Sequence, residues 1–165
     1  MSRYNTAIVA IGYILSKDKK NILLLHHNTD AADISYGKHN GYSDFVRIHE
    51  TPYEAFVRAV REQTGLVIEK ATFRGSIMWP DFHDEGKAFF SQIFVATEYE
   101  GEPAQYNVSG QNRWWSVEEL LRGDVPIWDG DRYFLPLVFD EDPVPFHGYM
   151  PYSQGTPQNW AYFRG

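Results

Sequence analysis

Apolar positions along the chain change period several times, and each change marks an element. Residues 6–15 form a β-branched and aromatic run, the pattern of a buried strand. The charged turn 16–21 separates it from a second apolar strand at 22–27, so the two read as a hairpin. Residues 28–37 are polar and predict a loop, and 42–48 predict a short strand. From 51 to 64 the period becomes helical, with Ala55, Phe56, Ala59 and Val60 on one small apolar face. Both ends of that helix are marked. Thr51 suits the N-cap, Pro52 the first turn, Glu54 completes a T-x-x-E capping box, and Gly65 stops the helix.

Beyond it the two-residue period returns. Residues 67–79 and 87–99 predict long strands around a polar turn at 81–86. A loop at 101–111 and a short strand at 113–115 lead to a second capped helix, Ser116 with Glu119, running to about Arg122. Residues 128–140 predict a third helix that starts at Gly130-Asp131 and is interrupted by Pro136. Residues 146–152 and 159–163 read as a closing hairpin. Neither a repeat nor a linker divides the chain, so 1–165 is expected to be one α+β domain, a mixed β-sheet core sandwiched between helices.

Composition narrows the function classes. Fifteen basic against twenty-two acidic residues leave a net charge of −7, which disfavours binding to a nucleic-acid polymer. The absence of cysteine excludes disulfides, a thiolate nucleophile and a cysteine-based zinc site. The apolar N-terminal run lacks a charged leader and a cleavage site, and no run reaches the roughly 18 apolar residues of a membrane span, so a cytoplasmic protein without a membrane partner is expected. Aromatic residues reach 16%, which suggests stacking surfaces as well as core. Oligomeric state is not legible.

The segment 37–66, GKHNGYSDFVRIHETPYEAFVRAVREQTGL, resembles the Nudix box, the phosphate-and-metal element of nucleoside diphosphate hydrolases. Glu50, Arg58, Val60, Glu62, Gly65 and Leu66 match the family pattern, whereas Asp44, Ala59 and Gln63 depart from it. The likeness extends to the tail, where IWDGDRYFLPLVF followed by PFHGYMPY is similar to the oxidised-purine-sanitising branch, the 8-oxo-dGTP diphosphatases. The resemblance implies the Nudix fold and a small-molecule nucleotide partner, a purine or 8-oxo-purine nucleoside triphosphate. It also implies Mg²⁺ or Mn²⁺ if the protein is active. Position by position, Asn40 and Asp131 take the family's purine-edge readers and Trp128 its stacking ring; the family's aspartate before Asp131 is Gly130 here. Trp79 and Phe89 are candidate further walls, though core is the simpler reading for each. Asn40 with Gly41 also reads as a turn, Asp131 as a helix start and Trp128 as core.

The box chemistry is thinned. Of the three glutamates that the family places at i, i+3 and i+4 on one helix face, Ala59, Glu62 and Gln63 leave one carboxylate. Candidate catalytic residues are therefore Glu62, Arg58 and Glu50, and candidate metal ligands Glu62 and, if it points inward, Asp44. Arg58 has Glu54 and Glu62 at helical spacing, which a plain surface ladder also explains. His49 could stand in as a base, and Asp81-Phe82-His83-Asp84-Glu85 could hold a cation, although a surface histidine and a solvated turn are the simpler readings. Three functions stay open: a nucleotide-binding Nudix protein with weak or lost hydrolysis, an active metal-dependent hydrolase, and a non-catalytic interaction domain.

Overall fold

The computed structural model describes residues 2–165. Its centre is β1 (Asn5–Leu15), which pairs antiparallel with β2 (Asn21–His27) as the expected hairpin. β1 also carries β4 (Tyr42–Phe45) antiparallel and β6 (Lys87–Glu100) parallel, while β5 (Val67–Pro80) pairs antiparallel with β6. β3 (His39–Asn40) joins β2, and β8 (Gly110–Ser116) with the short β7 (Tyr106–Asn107) completes that edge. At the other edge β9 (Phe146–Tyr149) runs parallel to β5 and antiparallel to β12 (Ala161–Arg164). This closing hairpin is interrupted by the small pair β10 (Tyr152–Ser153) and β11 (Thr156–Pro157).

Helices cover both faces. α1 (Pro52–Thr64) buries Ala55, Phe56, Ala59, Val60 and Thr64 against one, and α2 (Val117–Arg122) and α3 (Asp131–Phe139) cover the other through Leu120, Phe134, Leu135 and Val138. Strand alternation sorts β1 between them. Ala10 and Ile14 join the α1 core, while Tyr13 joins the core under α3. Gly12 lies on the α1 face, where a Cβ would overlap the Phe56 ring. No helix among the described residues is long and apolar enough to cross a membrane.

The helix signals hold in detail. Thr51 accepts from the Glu54 amide while Glu54 reaches back to the Thr51 amide, and Gly65 takes the left-handed conformation at φ 80°. Boundaries differ where tertiary contacts intervene. The strand expected at 42–48 stops at Phe45 because Glu50 folds back to accept the Arg47 amide and His49 turns the chain at φ 65°. The strand expected at 113–115 extends over Gly110–Ser116 because β2 pairs with it along its whole length. The third helix begins at Asp131 with Gly130 as its N-cap, as expected, and it tolerates Pro136 because Phe134, Leu135 and Val138 anchor it on both sides.

The C-terminal end of α3 is held by a buried side chain. Arg74, 9% exposed, donates to the Leu137, Val138, Asp140 and Asp142 carbonyls and to the Asp140 carboxylate. These carbonyls have no helical partner of their own. Arg74→Met is expected to destabilise the protein by about 1–3 kcal/mol, since it removes the donor to the Val138 and Asp142 carbonyls, while Arg164 still pairs with the Asp140 carboxylate at 2.8 Å. Urea denaturation measures this; an unchanged midpoint would mean water replaces the guanidinium at no cost.

Candidate functional site

A cavity of about 520 Å³ opens over the middle of the sheet, between β1, the β2–β3 pair and α3. Alternation decides who faces it. On β1, Val9, Ile11 and Tyr13 line the wall, and on β4 the Ile11 partner Ser43 does. On β2 and β3, Leu25, His27 and Asn40 point in. The intervening His26 and His39 point to the opposite side, where their rings stack with centroids 4.3 Å apart and His39 is buried beside Trp115. Asn40 thus owes its aim to one step of register: shifted by one residue, His39 would face the cavity instead.

Asn40, Trp79, Phe89, Trp128 and Asp131 all line this one cavity. The side-chain oxygen of Asn40 is buried beside the His27 ring, with no hydrogen bond of ordinary geometry. Trp79 is both wall and core; its indole N–H donates to the Ser91 hydroxyl at 2.8 Å and its ring meets Phe82, Phe134 and Tyr152. Trp128 is half-buried, with the Lys38 ammonium over its ring at 4.5 Å. Burial pushes the Asp131 carboxyl up from 3.8 to about 7, with Arg132 pulling weakly the other way. At neutral pH it is divided between a donor-acceptor acid and an acceptor-only carboxylate.

Other wall residues were not foreseen. Phe82 and His83, from the turn read as solvated, bring their rings to the cavity, Phe82 lying 4.6 Å from Tyr152 and 5.4 Å from Phe89. An aromatic residue inside an otherwise polar turn is the signal that reveals Phe82. The acids of that turn do not converge: the Asp81 carboxylate accepts from the Tyr4 hydroxyl and the Gly86 amide. Tyr152 explains Gly130. A Cβ at 130 would overlap the Tyr152 hydroxyl, so the tyrosine occupies the space a side chain there would need. His27 and Asp33 also line the wall, and no local pattern marks them.

Beyond Ser43 and Gln63 lies the α1 face, and there the charges are engaged with one another. Arg58 donates Nη1 to Asp44 at 2.8 Å, and Nη2 to Glu50 at 2.7 Å and to the Phe45 carbonyl at 3.1 Å. Its Nε reaches Glu50 at 3.1 Å. Hydrogen bonding from Arg58 holds the Glu50 carboxyl down at about 2. The ladder expected of Arg58 forms only weakly at Glu62, 3.5 Å away, while Glu54 is occupied in the helix cap. Arg47 adds longer pairings of 3.8 Å to Asp44 and Glu62. Asp44 faces α1 because it sits opposite Ala10 in the β1 register.

These donors do not fit a hard divalent cation, which wants several convergent oxygens. Asp44 and Glu50 are held by Arg58, the Glu62 side chain is half-exposed, and Ala59 presents a fully buried methyl. Gln63 turns its amide nitrogen to the Ser43 carbonyl at 3.3 Å. Among the described residues no group of three histidine, aspartate or glutamate side chains is placed to hold an ion. His49 is exposed and does not line the cavity. The arrangement can stack and hydrogen-bond a planar heterocycle, and it offers little to polarise a phosphate.

Known proteins resemble this chain in sequence and in fold. A family model described as the NUDIX domain matches residues 6–138. An oxidized purine nucleoside triphosphate hydrolase of Danio rerio is 28% identical over 117 residues, 71% of each chain. A mutator MutT protein from Bacillus halodurans superposes with a TM-score of 0.79 at 20% identity, covering 94% of this chain and 97% of its own. A MutT structure from work on Aliivibrio salmonicida and Vibrio cholerae superposes at 0.66 and 16% identity, covering 81% and 97%.

Proposed function

The chain belongs to the NUDIX family, and on that footing we propose that it holds a purine ring in the cavity without cleaving a phosphate chain at an enzymatic rate. The observation that carries this reading is the contrast between two neighbouring regions. Asn40, Trp128 and Asp131 converge on one cavity, while Asp44, Glu50 and Glu62 surround Arg58 and Ala59 carries no acid. The purine preference, including a preference for oxidised purine, is supported by the Danio rerio relative, whose name specifies that substrate. Asn40 and Asp131 supply mixed donors and acceptors for the ring edge, and Trp128 supplies a stacking face.

Diphosphate cleavage needs charge neutralisation and an activated water. The residues that would hold Mg²⁺ or Mn²⁺ are diverted into ion pairs, and Ala59 offers no proton acceptor. Loss of a general base alone costs about 10²–10⁴ in rate. The test is a thermal-shift series with 8-oxo-dGTP, dGTP and 8-oxo-dGMP, followed by pyrophosphate release with Mg²⁺. A shift without release is the expected result. Release at rates ordinary for an enzyme would establish a working hydrolase instead, and no shift with these nucleotides or with guanosine and 8-oxoguanosine would leave an interaction domain.

Removing the ring that stacks should show in the same assay. Trp128→Ala is expected to weaken purine binding by about 1–3 kcal/mol, roughly fivefold to 150-fold. An unchanged affinity would place Trp128 in the wall only.

A further inference from the structure

The charge of the cavity wall says something about the phosphate state of what enters. Among the described residues the wall contains the acids Asp33 and Asp131, the histidines His27 and His83, and neither lysine nor arginine. Lys38, near Trp128, directs its ammonium to the Ile34 carbonyl at 2.9 Å and to one face of the Trp128 ring. Where the cavity borders α1, its last lining residues are Ser43 and Gln63, whose chain neighbours are Asp44 and Glu62. Past them every nitrogen of the Arg58 guanidinium already has an acceptor, and Arg47 faces Asp44 and Glu62. Three carboxylates against two guanidiniums leave this border negative.

A polyphosphate chain extended from a ring in the cavity toward α1 would therefore meet carboxylates of its own sign, and Arg58, the guanidinium seated among them, is already fully paired. Freeing Arg58 for it would strand Glu50 and Asp44. An uncharged purine meets none of this. It finds the aromatic walls of Trp79, Phe82, Phe89 and Trp128, the Asn40 amide and the Asp131 carboxyl. The cavity, about 520 Å³, lies within the range of roughly 300–1,000 Å³ usual for small-molecule sites.

We propose that the cavity takes an unphosphorylated purine, as nucleoside or free base, in preference to its 5′-triphosphate; this rests on the purine reading above. The intact protein is titrated calorimetrically with guanosine, 8-oxoguanosine and their 5′-mono- and triphosphates, with and without Mg²⁺. Affinity is expected to fall with each added phosphate, leaving the triphosphate at least about tenfold weaker than the nucleoside at low salt, and the gap narrows as salt screens the border. Gln63→Lys, which places a cation at the border, is expected to raise triphosphate affinity relative to the nucleoside. A triphosphate that binds as tightly as the nucleoside, or more tightly, overturns the proposal while the purine reading stands. If neither the nucleosides nor the triphosphates bind, the purine reading fails and takes the proposal with it.

Discussion

Replacing Asp131 by asparagine is expected to raise the melting temperature by about 5 °C at pH 8 and to leave it unchanged at pH 4. The carboxyl titrates near 7 in the folded chain, chiefly through burial, against 3.8 ordinarily. Below pH 3.8 both folded and unfolded chains hold the proton and nothing is lost. Between 3.8 and 7 the unfolded chain releases a proton that the folded chain keeps, so stability falls as pH rises through that window. Above 7 the cost is complete. Three pH units correspond to about 4 kcal/mol, which partial solvent access reduces to about 2 kcal/mol. Asparagine has nearly the same shape and no charge, so it escapes this cost. Ligand binding should follow the same titration. A protonated Asp131 donates to a purine edge and an ionised one cannot, so wild-type affinity falls above pH 7 while Asp131→Asn flattens the profile. A melting-temperature difference that is equal at pH 4 and pH 8 would show that the carboxyl titrates normally.

Phe56→Ala is expected to cost about 3–5 kcal/mol, the largest single loss of stability anticipated here. Phe56 has no exposed surface, stacks on Phe94 at 5.7 Å and lies over Gly12. That ring joins α1 to the centre of the sheet, and α1 carries Gln63 to the cavity border. Gly12→Ala is expected to destabilise by about 1–3 kcal/mol, because its Cβ would overlap the same ring. The two changes should not add. With the ring removed, the alanine at 12 has room, so the double variant is expected to be at least about 1 kcal/mol more stable than the sum of the single effects predicts. Urea denaturation of the four proteins completes the cycle. Full additivity would mean that the ring and the glycine do not constrain each other.

The legible parts of this protein are those whose causes are local. The cap of α1 needs only Thr51, Pro52, Glu54 and Gly65, all within one helix length, and each does in the fold what its chemistry requires. The buried face of α1 follows from helical period, and the β1–β2 hairpin from two apolar runs around a charged turn. The placement of Asn40, Trp128 and Asp131 on one cavity agrees with a motif order read along the chain. Loss of acids at positions 59 and 63 is likewise visible in the sequence alone.

What only the tertiary structure decided concerns partners distant in sequence. Helical spacing offered Arg58 the neighbours Glu54 and Glu62, yet its short contacts are to Asp44 and Glu50, delivered by the register of β4 on β1 and by the turn at His49. Phe82 and His83 lie in a polar turn and become cavity walls because β5 and β6 carry that turn over Tyr152 and Phe89. Gly130 looked like a missing reader, and packing shows a space filled by Tyr152. Local propensity and period set the elements, because their energies come from neighbours within a turn or two. The ion network and the cavity walls depend on pairings across tens of residues, which sheet register selects and which no local pattern encodes.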